Sequence, residues 1–458
     1  MVDTASRSRV AELTEREERT FREEHPRSLE LAERAKRSLL AGVPMHWMAK
    51  WPGGFPVFVA EAQGARFVDV DGREFVDLCL GDTGAMTGHS PPATVAALGE
   101  QAARGITLML PTEDAAWVGE ELARRFGLPY WQFALTATDA NRFAIRLARE
   151  ITGRPKVLVY NWCYHGTVDE TFVTLRDGHV VARRGNLGPP VSLDVTTRVV
   201  EFNDVDALER ELAHGDVACV LTEPALTNVG IVHPNPGFHD ALRELTQRTE
   251  TLLIVDETHT ICCGPGGFTA ANGLEPDLLT IGKPIAGGVP AAAYGFSADV
   301  AQRVVDHIEL EDVDVGGVGG TLAANALSLA AMRATLQHVL TDEAFATMIP
   351  LAGRFTEGVE SAIRHHDVPW HVTQLGCRAE YLFGPDRPRN GAEAAAAGDF
   401  ELERLMHLYA LNRGVLLTPF HNMALMSPAT TEADVDRHTE VFGEAVAELT
   451  AERTSGGT

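Results

Sequence analysis

Thr251-Leu252-Leu253-Ile254-Val255-Asp256-Glu257, together with Leu278-Leu279-Thr280-Ile281-Gly282-Lys283-Pro284-Ile285-Ala286-Gly287-Gly288, decides how this chain folds. Each segment begins as a short apolar run and breaks into charged or glycine-rich sequence, the pattern of a strand buried on both faces. Working outward, the strand segments 251–255 and 278–281 are joined by similar runs at 131–135, 156–160, 217–222 and 290–296. Helical stretches separate them, such as 205–213 and 139–151, where Phe143, Ile145, Leu147, Ala148 and Ile151 are partly periodic. Short apolar strands alternating with helices imply an α/β fold with a mainly parallel sheet covered on both faces. Ligands of such sheets gather at the carboxyl ends of the strands. Two of those ends carry Asp256 and Lys283, so an acid and an amine can face one cleft.

The flanks read differently. Residues 1–40 carry dense Glu/Arg patterning, as in Glu15-Arg16-Glu17-Glu18-Arg19, expected to form a solvated helix or a dimer-wrapping arm. Residues 57–80 alternate in short bursts, and Asp71-Gly72 between two of them is a hairpin signal. A long helix is expected near 321–340, then helix 351–365, strand 377–383, helix 398–413 and strand 414–418. A helix start follows at Thr430-Thr431-Glu432-Ala433-Asp434. Pro385 to Gly398, rich in Pro, Gly and Ala, is expected to be a loop. The chain thus divides into an N-terminal arm and small-domain segment (1–85), a large domain (86–335) and a smaller C-terminal α+β domain (336–458).

Apolar residues make up 45% of the 458 and charged residues 22%, ordinary for a soluble globular protein. A net charge of −25 argues against nucleic acid or an anionic membrane as partner. Six cysteines without metal-type spacing fit reduced thiols, no apolar stretch has the length of a membrane span, and Met1 to Glu30 lacks a secretory h-region. These features point to the cytoplasm. Only four lysines occur, Lys36, Lys50, Lys156 and Lys283, arginine supplying the other cations. Codon bias accounts for the scarcity but not for a lysine kept between apolar residues and glycines. A desolvated lysine can lose its proton and form a Schiff base with a carbonyl, which arginine cannot.

Four strand ends offer chemistry, each with a plainer alternative. Asp256 can meet a cation or cap the following turn. Thr136-Ala137-Thr138-Asp139-Ala140-Asn141 opens a helix, so its hydroxyls and N–H groups can take a phosphate, or Thr136 or Thr138 can simply be the N-cap. Tyr164 and His165 in Asn161-Trp162-Cys163-Tyr164-His165-Gly166 can serve a ligand or pack. Glu223-Pro224 ends another strand. A phosphate cup, a flat aromatic, a carboxylate and an unusual lysine together suit pyridoxal phosphate.

With these motifs the sequence resembles the class III (ornithine/4-aminobutyrate type) aminotransferases of PLP fold type I, nearest in layout to the glutamate-1-semialdehyde aminomutase branch. The similarity covers about 40 to 445 and rests on Ile254-Val255-Asp256-Glu257-Thr258-His259-Thr260 and Ile281-Gly282-Lys283-Pro284-Ile285-Ala286-Gly287-Gly288. It implies a seven-stranded-type sheet in a large PLP-binding domain. It also implies a homodimer with active sites at the interface, a small-molecule amino donor, a carbonyl acceptor and no metal. Lys283 is implied as Schiff-base lysine and proton shuttle, Asp256 as partner of the pyridine nitrogen and Tyr164 as the stacking ring, with His165 beside it. Thr136, Ala137 and Thr138 stand where the family's phosphate cup does, although Ala137 replaces its glycine and Asp139 its glutamate. Thr321, after Gly319-Gly320, matches a segment reaching the phosphate from the other subunit, and Glu223 a glutamate near the cofactor's ring oxygen. The mutase branch carries an arginine for the substrate carboxylate in the segment matching Gly42-Val43-Pro44-Met45-His46-Trp47-Met48, where this chain has Met48. Lys50 lies two residues on. Arg378 is a candidate carboxylate fork or a salt-bridge partner of Glu380. The expected reaction is transamination, with intramolecular amino transfer as the alternative.

Overall fold

The computed structural model describes residues 4–187, 192–307 and 316–451. A seven-stranded sheet runs through it in the spatial order Tyr130–Ala134, Ala292–Phe296, Leu278–Ile281, Leu252–Asp256, Val217–Thr222, Lys156–Tyr160, Thr197–Val200. From Leu278–Ile281 to Thr197–Val200 all neighbours pair in parallel, whereas Ala292–Phe296 runs antiparallel to both strands beside it. Every residue of Val217–Thr222 and Leu252–Asp256 is buried, as continuous Val/Ile/Leu runs demand. Each such side chain removed from water contributes about 1.5–3 kcal/mol. Helix Ala137–Thr152 covers one face with Phe143, Ile145, Leu147, Ala148 and Ile151 and ends at Gly153 in the left-handed region. Register places Val255 against Leu279 and Asp256 against Thr280, so Asp256 and the residues after Ile281 leave the sheet along one edge.

Residues before and after this sheet come together. Strands Val59–Gln63, Arg66–Asp69 and Glu74–Asp77 form an antiparallel meander, and Val415–Leu416 adds in parallel to Glu74–Asp77. His371–Leu375, Arg378–Leu382 and Met423–Leu425 make a second antiparallel sheet, against which helix Asp342–His365 packs, with helix Glu432–Thr450 on that helix. Thr431 and Asp434 close a capping box at the last helix.

Several expectations need correction. Thr197–Val200 is a strand although Arg198 interrupts its apolar run, because that guanidinium reaches out to Asp216 and Glu211. Val173–Arg176 and His179–Ala182 form a hairpin that the sequence reading passed over. The helix expected at 351–365 starts at Asp342, capped by Thr341, and Pro350 lies within it. Within the supposed loop 385–398, Asn390 caps the short helix Gly391–Ala396. The N-terminal helix Thr4–Glu24 is not simply solvated: Val10, Leu13 and Phe21 are buried, and buried Glu17 pairs with Arg413 and Asn412.

Candidate active site at the carboxyl edge of the large sheet

A cleft of about 560 Å³ opens at this edge, lined by Thr136, Thr138, Tyr164, Asp256, His259 and Lys283 among others. Lys283 follows strand Leu278–Ile281 after Gly282 and adopts a left-handed φ of 49°, rare for a residue with a side chain. Its ammonium nitrogen lies 2.9 Å from Asp82 Oδ2 and 2.8 Å from His259 Nε2. Asp82 stands in Leu80-Gly81-Asp82-Thr83, where all four residues have positive φ. Such strain persists only where the surroundings fix it, and it gathers at functional sites. Burial acts to raise the Asp82 carboxyl, but Lys283 and then His259 hold it well below the usual carboxylate range.

Asp256 is buried yet fully engaged: Asn141 Nδ2 donates at 2.8 Å, the Thr258 amide donates at 3.0 Å, and His165 Nδ1 lies at 2.9 Å. Burial opposes its charge, and the contact with His165 outweighs that and keeps the pKa low. For His165 burial pulls downward, while Cys163 and Asp256 raise it to about 10. A negative charge is therefore kept at the end of a buried strand.

At the start of helix Ala137–Thr152 both plain capping and an open anion site are present. Thr136 accepts from the Asp139 amide at 3.2 Å, and Thr138 Oγ1 accepts from the Thr167 amide at 3.0 Å. The first-turn N–H groups have no intrahelical acceptor, so an anion is stabilised there. Gly166 closes over this turn at φ 77°, and a Cβ on it would overlap the Thr138 hydroxyl. Gly282 leaves room for Ala137, whose Cβ would sit 3.0 Å from one added at Gly282.

The other candidates take different places. Tyr164 lines the cleft, 37% exposed and edge-on to Phe172 at 6.3 Å. Buried Glu223 accepts from the Thr227 hydroxyl, has an unpartnered Oε1, and is raised by burial. Arg378 has no solvent exposure; its Nη2 donates to Thr227 O at 2.9 Å and to Glu380 at 3.3 Å. The salt bridge, not a free carboxylate fork, is thus the contact it makes. Lys50 is exposed, 5.5 Å over the Phe420 ring. Met48 turns to a separate apolar cavity with Trp47, Trp51 and Phe58. Thr321 is exposed and does not line the cleft. Asp82, His259 and Asn141 escaped the sequence reading. Asp82 carried a signal in its glycine bracket, Gly81-Asp82-Thr83-Gly84, and His259 in its place just after Asp256-Glu257.

Residues 47–446 match the model of the family described as aminotransferase class-III. The chain belongs to that family. It is 32% identical over 434 residues to the glutamate-1-semialdehyde 2,1-aminomutase of Laribacter hongkongensis, covering 92% of this chain and all of that protein. A crystal structure of a glutamate-1-semialdehyde-aminomutase from Pseudomonas aeruginosa PAO1 matches with TM-score 0.95 and 54% identity over 98% of this chain and 99% of that one. A variant of that protein has been solved in complex with PMP. An omega-transaminase from Sphaerobacter thermophilus matches with TM-score 0.83 and 29% identity over 93% and 98%. The chain is therefore an enzyme of PLP fold type I that uses pyridoxal 5′-phosphate. Its residues fit that group: the cleft joins an anion-binding helix start to an ionised Asp256 and a lysine amine.

Proposed function

We propose that this enzyme transfers an amino group with Lys283 holding the cofactor and then carrying the proton. The observation that carries this reading is the single cleft that gathers Lys283, Asp256 and the open turn Thr136–Thr138. When bound, pyridoxal phosphate supplies an aldehyde carbon for an amine and a ring that takes up an electron pair. Asp256, kept charged by His165 and Asn141, would pair with the ring nitrogen and keep a proton there. The N–H groups of Ala137 and Thr138, with Thr136 bracing the turn, would hold the phosphate. Tyr164 presents its ring from the side of the cleft, and Glu223, whose Oε1 is unpartnered, would serve the ring oxygen. Lys283, once free, takes a proton from the substrate carbon and returns it as general base and acid. Thr321 acts from a second copy of the chain. Exposed Met109, Leu110 and Leu322 support such a homodimer. Free thiols at all six cysteines support a reducing, cytoplasmic setting, and among the described residues no helix is long and apolar enough to cross a membrane.

Two modes of transfer follow. The relatives named as glutamate-1-semialdehyde aminomutases support transfer within one molecule, from C2 to C1 of that substrate. Met48, turned into an apolar cavity where the mutase branch has its carboxylate-binding arginine, favours transfer between two molecules instead. Feeding glutamate-1-semialdehyde alone separates them. Isomer formed without a keto acceptor establishes the mutase; turnover only with an amino donor plus a keto acid establishes the transaminase. Borohydride treatment of the holoenzyme is expected to fix cofactor to Lys283, and a label found elsewhere or nowhere ends the reading.

A further inference from the structure

Asn161, Cys163 and His165 are buried, while Tyr164 among them stands open to the cleft. The chain is pinned on both sides of that ring. After it, His165 Nδ1 meets Asp256 at 2.9 Å, and the His165 carbonyl accepts from Asn141 Nδ2 at 3.2 Å. Before it, Trp162 adopts a left-handed φ of 66°, and its carbonyl accepts from Asn228 Nδ2 at 3.0 Å. A residue with a side chain keeps such a conformation only where its surroundings impose it. Gly391 leaves room for this turn: a Cβ there would lie 2.2 Å from Asn161 O and 3.0 Å from Trp162 Cβ.

Arg183, directly after strand His179–Ala182, closes the side before the ring. Its Nη2 donates to Cys163 O, and its guanidinium carbon stands 5.7 Å from the centre of the Trp162 ring, within cation–π range. Its backbone N–H donates to Phe172 O at 2.9 Å. Phe172 is the ring that meets Tyr164 edge-on at 6.3 Å, with 81° between the planes. One residue thus grips both the main chain before Tyr164 and the residue whose ring lies beside it. The hairpin that carries Arg183 is tied to the same turn by Asn161 Oδ1, which accepts from Thr174 Oγ1 at 2.8 Å and the Leu175 amide at 3.2 Å.

We propose that Arg183 is a positioning residue for Tyr164, its grip on Cys163, Trp162 and Phe172 fixing the phenol ring where it meets the cofactor. A planar guanidinium suits the task, because it can lie against an indole and donate to a carbonyl at once. A lysine ammonium has the charge and the donors but no plane. The inference rests on the role proposed above for Tyr164, but it concerns what holds that ring.

A double-mutant cycle tests it. The full chain is freed of cofactor and titrated with pyridoxamine phosphate, which binds without a covalent bond, as unsubstituted protein, Arg183→Met, Tyr164→Leu and the double variant. Aromatic contact adds up to about tenfold in affinity, so Tyr164→Leu is expected to raise Kd by about that factor. Arg183→Met is expected to raise it about fivefold alone but less than about twofold beside Tyr164→Leu, because the ring it orients is gone. Arg183→Lys should recover part of the loss, and the circular dichroism band of the bound cofactor should follow the same order. Equal factors in the two backgrounds, or no change in Arg183→Met, overturn the inference: Arg183 would then brace the fold rather than the ring. Should Arg183→Met fail to fold, the cycle with Arg183→Lys decides by the same criterion. A Kd unmoved by Tyr164→Leu removes the role of Tyr164 and this inference with it. Absence of borohydride linkage at Lys283 in the unsubstituted chain would instead remove the proposed function, a separate result.

Discussion

Asp256 is the residue whose charge is most elaborately kept. Three donors converge on one buried carboxylate, and the imidazolium they include is itself stabilised by it. Asp256→Asn keeps the shape and removes the charge. Electrostatic partners of this kind are worth about 10²–10³ in rate, so turnover is expected to fall by that order. The visible absorbance of the bound cofactor should change as well, since its ring nitrogen loses the opposing charge; an unaltered spectrum with full turnover would contradict the assignment. Asp256 and Lys283 were legible from the sequence because each is polar where a strand pattern demands apolar residues. Asp82 and His259 were not. Their meaning depends on a loop some 200 residues from Lys283 folding back to it (the Asp82–Lys283 bond spans 201 positions), and no local pattern records that. Arg378 was legible as a cation with two readings, a carboxylate fork or a salt bridge with Glu380 or a nearby acid, and only the packing around strand Arg378–Leu382 buries it against Glu380.

Elements were legible where their signal was local. The parallel strands stood out as apolar runs, and Thr431 marks a helix start by its own chemistry. Thr197–Val200 and the pairing of Val415 with Val76 were not legible, because both are decided by a distant partner strand. The meeting of strand end and helix start shows the same dependence. Ala137, which stands in place of a glycine, is accommodated because Gly282 lacks a Cβ. A methyl at Gly282 would lie 3.0 Å from the Ala137 Cβ and 3.2 Å from its amide nitrogen. Gly282→Ala is therefore expected to cost about 1–3 kcal/mol, as overpacking does. In an Ala137→Gly background part of that loss should return, because one of the two clashes is gone. Urea denaturation of the four proteins of this cycle measures the coupling, and strict additivity would show that the two residues do not press on each other.

At the scale of the whole molecule, the C-terminal part carries two histidines that the fold holds neutral. His438 lies between Phe355, 4.4 Å away, and Phe442, 6.0 Å away, with Nδ1 unpartnered; burial lowers it to about 3. Burial lowers His407 to about 4, against the contact with Asn422 Oδ1 at 3.1 Å. An unfolded chain protonates both near 6.5, so between that pH and the folded values the unfolded state binds more protons. Stability from these groups is thus complete above about pH 6.5 and falls as the pH drops, by up to about 1.4 kcal/mol per pH unit for each imidazole. His165 has the opposite sign: raised to about 10, it loses its contribution only as the pH rises toward that value, and adds nothing to the acid side. The lowered carboxylates, such as Glu17 and Asp256, are lost only below the ordinary carboxylate range. Between pH 7 and 5 these two act alongside His233, His239, His259 and His371, which burial also lowers. His438→Phe replaces the imidazole by a ring that does not titrate in an already aromatic pocket. The drop in urea midpoint from pH 7 to pH 5 is expected to shrink in this variant. An undiminished drop would mean that water reaches His438 in the folded protein and that the acid sensitivity arises elsewhere.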